Sequence, residues 1–246
     1  MKIWAAMTMA LSLSLFPFYL LNITNAADLQ FYAGRNYNNR SLDQLAQEFW
    51  QWWFTVPQTI SKDPKTGLHN CMMGVDSKNQ TIMLFNSYLQ QYSTSCNISS
   101  EKSILVPLLV GECDPTVPEL RSKEISELWK CAADADEVFK FWEVVLDDRV
   151  IYKKSPSEEV NSNLTKEILV RNSSSFMLNI PRQNHYDAPE GTYPAVVDGY
   201  YLHLKPLLPG KHILTYKIVH EDPNVLDVGN KLRAVTGEAS YNLNVN

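Results

Sequence analysis

The stretch Ser41 to Pro57, SLDQLAQEFWQWWFTVP, constrains the fold more than any other part of the chain, because three of the six tryptophans fall inside it. Ser41 followed three residues later by Gln44 is a capping-box arrangement that starts a helix. Pro57 cannot continue one. Between them Leu42, Leu45, Ala46, Phe49, Trp53 and Val56 recur at helical three-four spacing, and Trp50, Trp52 and Phe54 widen the apolar face. A face that broad has to be covered by a sheet, another chain or a ligand.

The N-terminus speaks to compartment. Met1-Lys2 is a short positive start, Trp4 to Leu21 is mostly apolar, and Thr24-Asn25-Ala26 before Ala27 offers a small-residue cleavage site. Residues 1–26 therefore read as a secretory signal peptide, and 27–246 as a single secreted β-rich domain. An uncleaved anchor helix is the competing reading, since the apolar run is long for a signal. The Ser and Thr content and the small-residue exit favour cleavage. No later stretch is long and apolar enough to span a bilayer, so the expected place is secreted or on the extracytoplasmic cell surface. Five Asn-x-Ser/Thr sequons, at Asn39, Asn79, Asn97, Asn163 and Asn172, are candidate N-glycosylation sites.

All four cysteines lie between positions 71 and 131. In an oxidising compartment three pairings are open, and the sequential one, Cys71 to Cys96 and Cys113 to Cys131, closes two moderate loops and is preferred. No two cysteines have the close spacing of a structural zinc site. His69, Cys71, Met72 and Met73 would make a soft copper-binding cluster only if Cys71 were free. Copper is set aside with the disulfide.

Along the rest of the chain the period alternates between strand and helix. Cys71 to Val75, Thr81 to Asn86 and Ser103 to Val110 read as strands, the third so apolar that it should be central with both faces buried. Pro107 inside it marks a bulge. Pro118 to Ala133 returns to helical spacing, with Leu120, Ile125, Leu128, Trp129 and Ala132 on its buried side. Val138 to Lys153 reads as a hairpin turning at Asp147-Asp148. Glu167 to Arg171, Ser175 to Ile180 and Ala239 to Val245 are further strands. Val196 to Lys205 and Lys211 to His220 form the clearest hairpin, joined by Pro206-Leu-Leu-Pro-Gly210. In it Leu202 and Leu204 face the core, His203 faces away with Tyr201, and His212 points inward with Leu214 and Tyr216. The expected fold is mainly β, an antiparallel β-sandwich of jelly-roll or Ig-like kind with two helical insertions in its N-terminal half.

Function is less legible. A net charge of -5 argues against a nucleic-acid surface. No nucleophile elbow, His-Glu-x-x-His, phosphate loop or dinucleotide fingerprint is present. Glu112 and Asp114 flank Cys113, and Asp134 and Asp136 follow Cys131, so a bridge between those cysteines would draw carboxylates together. They form the candidate acid-base pair and the candidate calcium site. Otherwise no cofactor is implied. Tyr186, Tyr193, Tyr201, His185 and Trp52 are the candidate binding residues, since loop aromatics can stack on sugars or anchor a protein.

As an ordered set, FWQWWF before Pro57, the cysteines, SILVPLLVGEC and VDGYYLHLKPLLPGKH resemble a family of secreted bacterial and archaeal proteins. The resemblance implies an extracytoplasmic, mostly β domain and carries no activity. Three functions follow as expectations. The first is a non-catalytic β-sandwich binding a glycan or an envelope protein. The second is an extracytoplasmic hydrolase using Glu112, Asp114 and Asp136. The third is a subunit of an envelope assembly docked through the Trp helix.

Overall fold

Helix α1 spans Leu42–Trp53 and starts where its side chains require. Ser41 Oγ accepts from the Gln44 amide at 3.1 Å, and Gln44 Oε1 accepts from the Ser41 amide at 3.0 Å. The helix closes at Phe54, where Thr55 Oγ1 donates to Trp52 O at 2.6 Å. That end comes before Pro57, which lies outside the described residues. The structure is a computed structural model, and it describes residues 32, 36–37, 40–56, 69–84, 91–134, 139–155, 159–160, 168–171, 173–184, 186–226 and 232–246. The proposed signal peptide, and the sequons at Asn39, Asn163 and Asn172, fall outside that set.

The described strands are, in order, β1 (Asn36–Tyr37), β2 (Arg40–Ser41), β3 (Met73–Val75), β4 (Thr81–Leu84), β5 (Gln91–Ile98), β6 (Ser103–Cys113) and β7 (Phe139–Leu146). There follow β8 (Arg149–Lys154), β9 (Glu159–Val160), β10 (Leu169–Val170), β11 (Phe176–Ile180), β12 (Gly191–Leu204), β13 (Gly210–Leu226) and β14 (Leu232–Val245). One sheet has the order β10-β12-β6-β4-β3, with β11 also on β12; the other has the order β5-β14-β13-β7-β8-β9. Helix α2 (Ile125–Asp134) follows β6. The result is a mainly β sandwich with two helical pieces, as expected.

Three details of that expectation change. The sheets are mixed rather than antiparallel, because β4 pairs β6 and β5 pairs β14 in parallel. Between β4 and β6 the chain crosses to the opposite sheet to form β5, so it returns to β6 in the direction it left. Strand β5 itself reads in sequence as Ser- and Asn-rich turn material, yet eight of its residues pair with the C-terminal strand. The apparent hairpin of Val196–Lys205 with Lys211–His220 is not one. Strand β12 pairs β6, whereas β13 pairs β7 and β14, so the Pro206–Pro209 link carries the chain from one sheet to the other. Alternation fixes which side chains share a face but not which strand lies alongside.

Two turn readings hold. Asp147 and Asp148 take φ values of 50° and 63°, the left-handed pair that closes the β7–β8 hairpin. On β6 the register slips by one residue, with Tyr200 opposite Leu109 and Tyr201 opposite Pro107, so the proline sits at a bulge in a central strand. His212, expected inward, lies at the end of the sandwich. Its Nδ1 is 2.6 Å from Asp147 Oδ2 and its Nε2 is 2.8 Å from Leu208 O, which ties the Pro206–Pro209 link to the hairpin turn.

The first sheet is covered on both faces, which explains why β6 and the second half of β12 are almost wholly buried. Tyr200 meets Trp142 of the second sheet, ring centroids 5.1 Å apart. Tyr201 points the other way, toward Phe49, and accepts a hydrogen bond from Trp50 Nε1 at 2.9 Å. Alternation places His203 on the Tyr201 side. His203 is therefore not solvated as expected; it is 7% exposed with Nε2 2.9 Å from Ser103 Oγ. Helix α2 packs against β6 on the face of Gly111 and Cys113. A Cβ at Gly111 would lie 2.4 Å from Ala132 O, so only glycine permits that approach. Both disulfides are the expected pairs, Cys71–Cys96 and Cys113–Cys131.

Two measurements check this architecture. Phe49, fully buried against Trp50, Trp52, Trp53 and Tyr201, is its tightest aromatic junction. Phe49→Ala should cost about 3–5 kcal/mol in urea unfolding. Burial depresses the His203 imidazole from 6.5 to about 4, so the unfolded chain binds a proton there that the folded chain refuses. Stability attributable to this group should be present above pH 6.5 and fall as pH drops toward 4, by roughly 3 kcal/mol in total. In His203→Gln the same acid titration of unfolding free energy should be flatter over that window.

Candidate functional site

The end of β6 and the end of α1 meet across a cleft of about 400 Å³. Trp50 and Phe54 of the helix form one wall, Thr116, Val117 and Pro118 another, and Tyr186 to Pro189 the third. Glu112 and Asp114 form its polar floor. They converge for a local reason. Residues two apart on a strand share a face, and Cys113 between them points the opposite way into α2, where Cys131 holds it.

The floor is electrostatically unusual. Asp114 is buried at 2% exposure and its Oδ1 accepts from the Thr116 amide at 2.5 Å. Burial pushes the Glu112 carboxyl well above the usual carboxylate range, and the adjacent, hydrogen-bonded Asp114 pushes it further. Both effects favour the protonated form of Glu112. Glu112 Oε1 is sealed from water with no donor from the protein reaching it. Among the described residues no lysine, arginine or histidine forms an ion pair with either group.

The walls are held by hydrogen bonds. Trp53 Nε1 donates to Tyr186 OH at 2.7 Å, and the Phe54 and Tyr186 rings lie 5.1 Å apart, so the loop is fastened to the helix. Burial raises the Tyr186 phenol to about 12, with Glu112 adding to the effect against the Trp53 donor. Buried Asn184 organises the loop from within. Its Nδ2 donates to Pro181 O and Ala188 O at 3.0 and 2.8 Å, and its Oδ1 accepts from the amides of Tyr186 and Ala188. Asn184 carries no period and belongs to no motif, so only its surroundings reveal the role.

Of the candidate binding residues, Tyr186 alone lines the cleft. Tyr201 is fully buried under α1 and displays no ring, because the face read as outward is the one the helix covers. Trp52 packs over Gly74, where a Cβ would lie 2.5 Å from the indole, on the β3 side of the helix. Tyr193 is half-buried on β12 with its hydroxyl donating to Glu190 O. His185 lies outside the described residues.

The acidic candidates divide likewise. Asp134 is exposed and pairs with Lys130 at 2.7 Å, one turn back on α2. It does not join Glu112 and Asp114. The disulfide links the two segments, but Gly111 and Cys113 face α2 while Glu112 faces α1, so the bridge keeps the groups on opposite sides of the strand. Asp136 lies outside the described residues. No three His, Cys, Asp or Glu side chains among the described residues gather as a metal site, which leaves the calcium reading without its ligand set. Cys71 is bridged, so the copper cluster has no thiolate. Asn79 and Asn97 are exposed, Asn97 on edge strand β5. The Trp helix keeps its apolar face inside, against β10, β11, β12 and β3, and offers none to an assembly.

No family model matches the chain, and no curated protein matches it. A solved structure titled "Structure of PbICP-C in complex with falcipain-2" aligns with 68% of this chain and 99% of that one, at 12% identity and a TM-score of 0.26. At that score the likeness carries neither fold nor function to this chain. No helix among the described residues is long and apolar enough to cross a membrane.

The raised Glu112 carboxyl has a measurable consequence. A carboxyl whose folded pKa is raised gives the folded state more protons than the unfolded one above pH 4.5, so stability declines as pH rises through the raised value. Glu112→Gln keeps the shape and removes the titration. The variant should lose that decline, a slope of at most about 1.4 kcal/mol per pH unit, in denaturant melts taken across neutral pH.

Proposed function

We propose that this is a non-catalytic, disulfide-stabilised β protein of the cell exterior, and that the cleft between α1, the end of β6 and the 181–190 loop receives part of a protein partner. The observation that carries the reading is the pairing of an apolar wall with an acidic floor that no described residue of the chain neutralises. Binding sites have this make-up, a mostly apolar surface with a few fixed polar groups. Of the wall's rings Trp50 and Phe54 are only 6% and 3% exposed and Tyr186 is 49% exposed, so a single ring is open to a ligand, which suits one side chain of a protein better than an extended sugar chain. Both disulfides and the sequence of the leader support an oxidising compartment.

The hydrolase reading keeps one specific support, the carboxyl pair itself. Its geometry is against glycoside cleavage. Glu112 and Asp114 are in hydrogen-bonding contact, whereas the two carboxyl groups of a glycosidase stand about 5 to 9 Å apart to admit the sugar carbon or a water.

Chemical-shift mapping of the mature protein with a panel of short peptides and a panel of oligosaccharides separates the readings. Peptides should move the amide signals of Glu112, Asp114, Thr116 and Ala188 and emerge intact. Saccharides that move those signals instead, or turnover of either panel that Glu112→Gln abolishes, would overturn the proposal.

A further inference from the structure

Resting on that reading, we infer that the cleft recognises a basic side chain, a lysine or arginine of the partner, seated with its aliphatic stem along the Trp50, Phe54 and Tyr186 wall and its charge on Glu112 and Asp114. Four observations converge on a cation. The floor carries two carboxyl groups from one strand end, and the described part of the chain supplies neither of them with a positive partner. Elsewhere the protein pairs its buried acids: Asp76 faces Arg40 and takes the amides of Gln80 and Thr81, and buried Asp198 faces Arg171. Glu112 is only partly buried, so its side chain opens on the cleft although its Oε1 is covered. The walls are rings and aliphatic carbon, which suit a methylene stem and add attraction for a cation held near an aromatic face.

Other occupants fit less well. A metal ion wants at least a third protein ligand, and none gathers there among the described residues. An anion would meet two carboxyl groups. A neutral apolar side chain would fill the wall and leave the floor desolvated without a donor, which costs affinity. An ammonium or guanidinium group supplies several donors and a charge at once. It also favours ionisation of Glu112, so ligand binding and loss of the Glu112 proton are coupled. Asp114, Tyr186 and Asp187 are the other titratable groups on the lining. All three oppose further negative charge in the cleft, and none competes as a cation.

The test uses the mature protein and three peptides alike except at one position: acetyl-Gly-Lys-Gly-amide, its arginine counterpart, and the norleucine counterpart, which keeps the stem and drops the charge. Affinities are read from the Glu112 and Ala188 amide shifts. The lysine or arginine peptide should bind at least about tenfold more tightly than norleucine, a margin one charge-assisted hydrogen bond supplies. Affinity should climb with pH as Glu112 gives up its proton and then level off. Glu112→Gln, checked to be folded by its dispersed amide spectrum, should lower lysine affinity, read from the Ala188 amide, toward that of norleucine. Norleucine binding at the cleft as tightly as lysine overturns the inference and leaves the binding function standing. No shift with any peptide overturns both.

Discussion

The structure depends on one buried junction, where helix α1 lies on the face of the first sheet that the second sheet leaves open. Two indole N–H groups fix it. Trp50 donates to Tyr201 on β12 and Trp53 donates to Tyr186 in the loop beyond β11, so the helix is bonded both to the sheet and to the loop. A buried indole N–H without an acceptor is costly, so each bond satisfies its indole and specifies where the helix must sit. Phe49 fills the space between them. Because the helix takes that face, β6 and the second half of β12 become two-sided interior strands, which accounts for the apolar run Ile104 to Val110 and for the burial of Asp198 and His203 within β12.

The cleft is the edge of the same junction. At the end of the helix Trp50 and Phe54 border the last residues of β6, and the acidic pair lies there. Helix α2 cannot close it, since it is held to the opposite face by Cys131 and by the close approach of Ala132 to Gly111. The loop that completes the cleft is held from within by Asn184 and against the helix by Tyr186. One wall therefore rests on core packing and the other on a four-bond side-chain turn. Such a turn orders its backbone without requiring it to be buried.

What could be read residue by residue was local. The capping box, the Asp147-Asp148 turn, the bulge at Pro107, the cysteine pairing and the burial of β6 each follow from a few neighbouring residues and the physics of one element. Glu112 and Asp114 were visible as a pair for the same reason, two residues apart on one strand. Their company was not visible. Asp134 seemed to belong with them because a disulfide joins the segments, yet the strand's alternation turns Cys113 and Glu112 to opposite faces. Tyr201 and His203 were read as outward on a correct alternation, and the error lay in taking the second face to be solvent. Tyr186 lay in a recognised loop, but its place on the cleft comes from Trp53, 133 residues earlier in the chain.

Sequence alone determined the elements whose stability is settled within a turn or a strand: the start of α1, the hairpin turn, the buried central strand, the mainly β content and the oxidised cysteines. Only the tertiary structure decided which strands are neighbours, which sheet each joins and what covers each face. Period-2 alternation gives every strand two faces and no partner, so the β12–β13 link could read as a hairpin when it is a crossing between sheets. The cleft belongs to this second kind of information. Its floor and walls come from three separate segments, and burial of the first sheet under α1 is what brings them to one place.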